Sequence, residues 1–185
     1  MNRLGLLAPS ELTPAQGEAY DVMHKYTTAN YGDRFIYLDN QSRFVGPFGA
    51  QIHHPEVAKA FIQFATSLRR IPDFPHEVRE VAILAVGSRL GPAYESYAHE
   101  SLSGFTEAEQ HQLHEGTCPA HFSDKQKVAY KVAIELGKSG PSPSALWEEA
   151  TSVLGIHGAT ALVHYVGFYA YVSTVLNGFD AKVPS

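Results

Sequence analysis

Glu95 and His99 stand four residues apart in a stretch that opens at Pro92 and closes at Gly104. On a helix, that spacing puts a carboxylate and an imidazole on one face within contact range. Pro92 and Leu102 fall on the same stripe, so most of it should face inward and both groups should be partly buried. A carboxylate beside a histidine raises the ring's proton affinity and fixes its tautomer, the usual way to make a general acid/base near neutral pH. Glu80 belongs to the preceding helix, on a face shared with Ile83 and Leu84. A carboxylate there sits at the surface edge or is buried with a partner. The tight Gly91-Pro92 link makes the two helices antiparallel or nearly so, which allows Glu80, Glu95 and His99 to meet.

Other readings compete. Taken alone, a Glu–His pair one turn apart is more often a solvated surface pair than a site, and a lone Glu80 is more often a surface carboxylate. Two ligand types one turn apart are also a frequent start to a zinc or iron centre. That reading ranks lower, because no HExxH string or second histidine pair accompanies them. No metal and no other cofactor is expected. His24, His111, His114 and His121 read as surface residues, and His164, inside an apolar helix, as a core histidine.

Helix periodicity dominates the chain, and helix-start signals recur along it. Thr13-Pro14 opens a helix to about Asn30, and Pro55 one to about Arg70. Pro75 opens a third, whose run Val81–Val86 means burial on most faces, and Pro92 a fourth, to about Ser103. Thr106 with Glu109 is a capping-box pattern, and Ser123 can cap a helix through Gly137. Ser142-Pro143 starts another helix, which Gly155 ends, and a last one runs from His157 to Gly178. Residues 32–49, rich in glycine and aromatics, look irregular, with room for a short strand. Phe179–Ser185 should fray. The fold class expected is all-α, a bundle of about seven to eight helices.

The chain has 185 residues, 44% apolar and 18% charged, which reads as one globular domain over 1–185. Fourteen Lys and Arg against nineteen Asp and Glu give a net charge of −5. With no basic run, nucleic acid and anionic membrane are poor partners. Cys118, the one cysteine, makes no intrachain disulfide and no CxxC pair, and reads as a bystander in a reducing compartment. The first residues are too briefly apolar for a signal peptide, and the apolar stretch Ala159–Leu176 reads as a core helix, so a cytoplasmic location is expected.

The order Glu80, eleven residues, Pro92, two residues, Glu95, three residues, His99 resembles the frame of the alkylhydroperoxidase-like superfamily. That superfamily's peroxidase branch has cysteines where Pro92 and Glu95 stand. Tyr94-Glu95-Ser96-Tyr97-Ala98-His99 is similar to a string of the carboxymuconolactone decarboxylase-like branch, which lacks the cysteine pair. Val78-Arg79-Glu80-Val81-Ala82-Ile83-Leu84, Gly46-Pro47-Phe48 before His53-His54-Pro55, and Val166-Gly167-Phe168-Tyr169 resemble the same family. The likeness spans about 13–180. Two departures stand out: there is no tryptophan near Ser96, and the segment from His99 to Gly104-Phe105 is about one turn short.

The resemblance implies an alkylhydroperoxidase-like helical bundle that assembles as a dimer, trimer or hexamer. It implies catalysis by His99, Glu95 and Glu80, with Arg43, His53, Tyr94 and Tyr169 expected to bind a small-molecule substrate. Arg43 suits a carboxylate, although a plain surface arginine is an equal reading. The activity expected is cofactor-independent decarboxylation of a small lactone-like, keto- or aromatic acid by proton transfer through His99. A proton-shifting isomerase or cyclase would use the same parts. A thiol peroxidase would need the missing cysteines, and a non-catalytic binding protein needs none of them. A homo-oligomer is also expected because Tyr165, Phe168, Tyr169 and Tyr171 point to more than one face of the last helix.

Overall fold

Three helices open on reciprocal capping boxes, Thr13 with Gln16, Thr106 with Glu109 and Ser123 with Gln126. Each satisfies two backbone groups that a helix start leaves unpaired. Proline opens others. The computed structural model describes residues 2–184. Its helices are α1 Pro14–Tyr31, α2 Gly46–Gln51, α3 Pro55–Arg69, α4 His76–Leu90, α5 Ala93–Ser103, α6 Glu107–His114, α7 Asp124–Glu135 and α8 Ser144–Gly178. The fold is an all-α bundle, and among the described residues the only β pairing is an isolated bridge between Leu38 and Phe44.

Residues 32–49 were expected to be irregular, yet they contain the start of α2. Its Pro47 occupies an N-terminal helical position and all six of its residues are buried. Six residues are too few to show a periodicity, so the helix is invisible as a pattern. The break expected at Gly155 is present: Ser144–Gly178, numbered here as α8, is two helical segments that meet at a kink there. Gly155 takes φ 69°, ψ 167° and helical hydrogen bonding resumes beyond it.

The core has two apolar clusters joined by α8. One is rich in aromatics and gathers α1, α2, α3, α5 and the C-terminal part of α8. The other lies among α4, α6, α7 and the middle of α8. Helix α8 is long and apolar enough to cross a membrane by length and composition, and half of its most apolar window is buried inside the fold. His164 of α8 is exposed, not a core residue. Tyr165 and Phe168 are buried, Tyr169 is half-buried and only Tyr171 is exposed. The monomer therefore buries most of the aromatic surface that suggested self-association.

At Gly46 the backbone passes close against a buried aromatic ring. The glycine has φ +59°, and a Cβ there would lie 2.2 Å from the Tyr94 ring. Tyr94 is fully buried and its hydroxyl donates to the Ile36 carbonyl at 2.8 Å, so it has nowhere to go. Gly46→Ala is expected to cost about 2–4 kcal/mol from strained φ and overpacking together. Urea denaturation of the two proteins checks this, and an unchanged midpoint would contradict it.

Candidate active site

Gly91 ends α4 in the left-handed conformation, its N–H bonded to the Gly87 carbonyl, and Pro92 caps α5 immediately after. The chain reverses, and α5 returns along α4: His76 at the start of α4 reaches the Leu102 carbonyl near the end of α5 at 3.1 Å. This hairpin brings Glu80 against His99. Glu80 Oε2 lies 2.7 Å from His99 Nδ1. On the other side of the ring, Glu95 Oε1 lies 3.2 Å from Nε2. Exposures of 2% for Glu80, 5% for Glu95 and 7% for His99 make this a buried constellation.

The two carboxylates are not equivalent. Glu80 also accepts a hydrogen bond from Arg79 Nε at 3.0 Å, and His76 Nδ1 stands 3.7 Å away. Burial alone would raise its pKa. The charge and hydrogen bond of His99, then Arg79 and His76, outweigh burial and hold the carboxyl down to about 2. Burial would likewise lower the pKa of His99, but Glu80 first and Glu95 second carry it up to about 10. At neutral pH the ring is an imidazolium with Nδ1–H committed to Glu80. Glu95 Oε1 is close to Nε2 but off the direction of the ring N–H, so this buried oxygen has no directed hydrogen-bond donor.

Glu95 and His99 face a cavity, and Glu80 stands behind the ring, outside it. The cavity has about 40 Å³ of open volume, room for about three waters. Its walls are Tyr26 and Tyr31 of α1, Phe48 of α2, Phe61 of α3, Tyr94 and Leu102 of α5, and Phe168, Tyr169 and Val172 of α8. Tyr169 meets the imidazole edge to face, centroids 5.1 Å apart at 88°, which fixes the ring plane. Burial first, then Tyr31, Glu95 and Glu80, pushes the Tyr169 hydroxyl well above its ordinary range, so it stays neutral.

The structure thus brings together Glu80, Glu95, His99, Tyr94 and Tyr169. It separates two residues from them. Arg43 is paired with Asp39, Nη2 to Oδ2 at 2.7 Å, and lines a different surface depression near Leu38 and Val183. A guanidinium already held by its own carboxylate, and away from the cavity, is not positioned to hold a substrate there. His53 lies outside the cavity as well, its Nε2 3.4 Å from the Gly5 carbonyl. Both expected substrate-binding assignments are corrected on that ground. Tyr94 is a wall residue, since its hydroxyl is already committed to Ile36. Cys118 sits half-buried in the turn between α6 and α7, away from the cavity, and burial raises its pKa.

The sequence did not single out Tyr26, Tyr31, Phe61 or Phe168 as wall residues. The only local signal was for Arg79, adjacent to Glu80. The α1 tyrosines reach the site through packing of α1 on α3, a long-range contact with no spacing signature.

No family model matches the chain, and no curated protein matches its sequence. Among solved structures, the fold is similar to that of the debrominase Bmp8 in its apo form. The TM-score is 0.72 and the identity 12%, over 94% of this chain and 90% of that one. A cysteine-to-alanine variant of the same debrominase, in complex with 2,3,4-tribromopyrrole, gives a TM-score of 0.71 at 12% identity, over 97% and 90%. At that identity the likeness carries the fold alone.

Proposed function

We propose that this chain is a cofactor-independent acid/base enzyme of the carboxymuconolactone decarboxylase-like kind, removing carbon dioxide from a small lactone-like, keto- or aromatic carboxylic acid. The observation that carries the reading is the buried chain of contacts from Glu80 through His99 to Glu95, ending in an aromatic-walled cavity. The shared fold with an enzyme whose variant holds a halogenated pyrrole is consistent with a small, flat ligand.

The chemistry follows from the charges. A substrate carboxylate near Glu95 in an apolar cavity loses hydration and meets a like charge, whereas neutral carbon dioxide does neither. Cleaving the bond beta to a carbonyl leaves its electron pair as an enolate, which attracts the imidazolium. Nε2–H of His99 then gives its proton to the vacated carbon, and the neutral ring regains one from water. Glu80 is a positioning residue: it fixes the tautomer that leaves Nε2–H facing the cavity. One feature favours a second reading. The Oε1 of Glu95, which receives no directed hydrogen bond, suits a base that takes a proton from substrate carbon while His99 gives one back, as in an isomerase or cyclase.

The test is a panel of β-keto acids, lactone carboxylic acids and hydroxybenzoic acids in D₂O. Carbon dioxide and deuterium at carbon are followed by nuclear magnetic resonance. Release of carbon dioxide with deuterium on the vacated carbon supports the first reading, and exchange without release supports the second. A panel compound that shifts the His99 resonances yet undergoes neither reaction would overturn both. Cys118→Ser is expected to leave whichever reaction is found unchanged, because the thiol is outside the cavity. A loss of turnover in that variant would restore a thiol mechanism.

A homo-oligomer belongs to the same reading. Ile156 and Val163 on the outer face of α8 are 54% and 40% exposed, an apolar surface suited to a second copy. Light scattering at micromolar concentration tests it, and a monomer would count against it.

A further inference from the structure

The cavity at His99 is too small for the substrate proposed for it. An enclosed apolar space that holds one benzene ring measures about 150 Å³, against about 40 Å³ here. A larger apolar groove of about 310 Å³ lies on the surface next to it, between α3 and α8. The two share Phe61 and Phe168, which appear in the walls of both. Those rings are stacked, 5.2 Å apart at 17°, and each is nearly buried. Phe64 packs edge-on against Phe168 from the groove side.

We propose that the α3–α8 groove is the substrate's way to Glu95 and His99, with the Phe61–Phe168 pair as a movable partition that also sets substrate size. The occupant is the substrate's apolar ring, because the groove adjoins the cavity across the shared Phe61–Phe168 wall and its lining is almost wholly apolar. Rotation of either ring joins the two spaces, and closure behind the ligand excludes water from the carboxylate and imidazolium. The proposal rests on the acid/base reading for its substrate but not for its test.

Gly167 supplies that test. It lines the groove, and a Cβ there would meet nothing within 4 Å, so a side chain fills the groove without disturbing the fold. The probes are fluorobenzene and 1-fluoronaphthalene, followed by ¹⁹F exchange and by the His99 ring resonances. Gly167→Leu is expected to slow fluorobenzene association by about tenfold or more at unchanged melting temperature. Phe168→Leu is expected to speed it, and Phe168→Ala to admit 1-fluoronaphthalene beside His99, which the wild type excludes. If Phe168→Ala fails to fold, Phe168→Leu and Gly167→Leu still decide the matter. An unchanged association rate in Gly167→Leu would overturn the proposal. So would naphthalene binding beside His99 in the wild type, or a second copy of the chain covering the groove in solution. Failure of the acid/base reading looks different: His99→Gln would turn over normally while the partition variants still altered probe binding.

Discussion

Glu80→Gln is expected to destabilise the protein by about 3 kcal/mol at pH 6, lowering the melting temperature by about 10 °C. The variant keeps size and shape but removes a charge that faces both His99 at 2.7 Å and Arg79 at 3.0 Å. The imidazolium is then buried with Glu95 alone, and that contact lacks a directed hydrogen bond. Glu95→Gln should therefore cost clearly less than Glu80→Gln, and equal losses would contradict the inequality of the two carboxylates.

The same ion pair fixes the pH dependence. Glu80 titrates at about 2 in the fold and near 4.5 when unfolded, so its stabilisation is present above pH 4.5 and lost as pH falls through 2. His99 titrates at about 10 in the fold and near 6.5 when unfolded, so its stabilisation is present below pH 6.5 and lost as pH rises through 10. The pair contributes most between pH 4.5 and 6.5. The loss toward either extreme is about 3–5 kcal/mol, counted once because both shifts come largely from one contact. In Glu80→Gln the alkaline decline should shrink. An identical pH profile of melting temperature in variant and wild type would refute the assignment.

The reason some of this was legible in the sequence and some was not is physical. Caps and helix-initiating prolines are local, so Thr13-Pro14, Pro55, Thr106 and Ser123 announce helices that the structure contains. The apolar run Val81–Val86 announces burial because a helix with no polar face has no side to give to solvent. The candidate pair was legible for the same reason: Glu95 and His99 are four residues apart on one helix, and Gly91-Pro92 turns that helix back onto Glu80. The cavity walls come from α1, α2, α3 and α8, whose contacts depend on the tertiary packing of separate apolar faces. Nothing in the spacing of Tyr26 and Tyr31 marks them as neighbours of His99. Arg43 shows the converse error. A cation near a Gly-Pro turn suits a substrate carboxylate until Asp39, four residues earlier, is seen to hold it.

The largest functional effect is expected at His99. With the true substrate, His99→Gln should lose about 10²–10⁴ in kcat, the usual cost of removing a positioned proton donor. Fold alone should not account for the loss. Gln cannot carry the cation, so Glu80 loses a partner and some stability goes with it, but a melting curve at pH 6 separates that from chemistry. The pH profile discriminates further. His99 is already protonated across the neutral range, so a reaction that uses its proton should hold its rate through neutrality and decline as the ring titrates near 10. A reaction that used neutral His99 as base would instead rise toward that pH. Glu80→Gln moves the ring pKa down by removing the charge that raised it most, so the alkaline decline should shift to lower pH with it. A rate that increases from pH 7 to 10 in the wild type would reverse the role given to His99. A folded His99→Gln protein with wild-type kcat would remove it from the mechanism altogether.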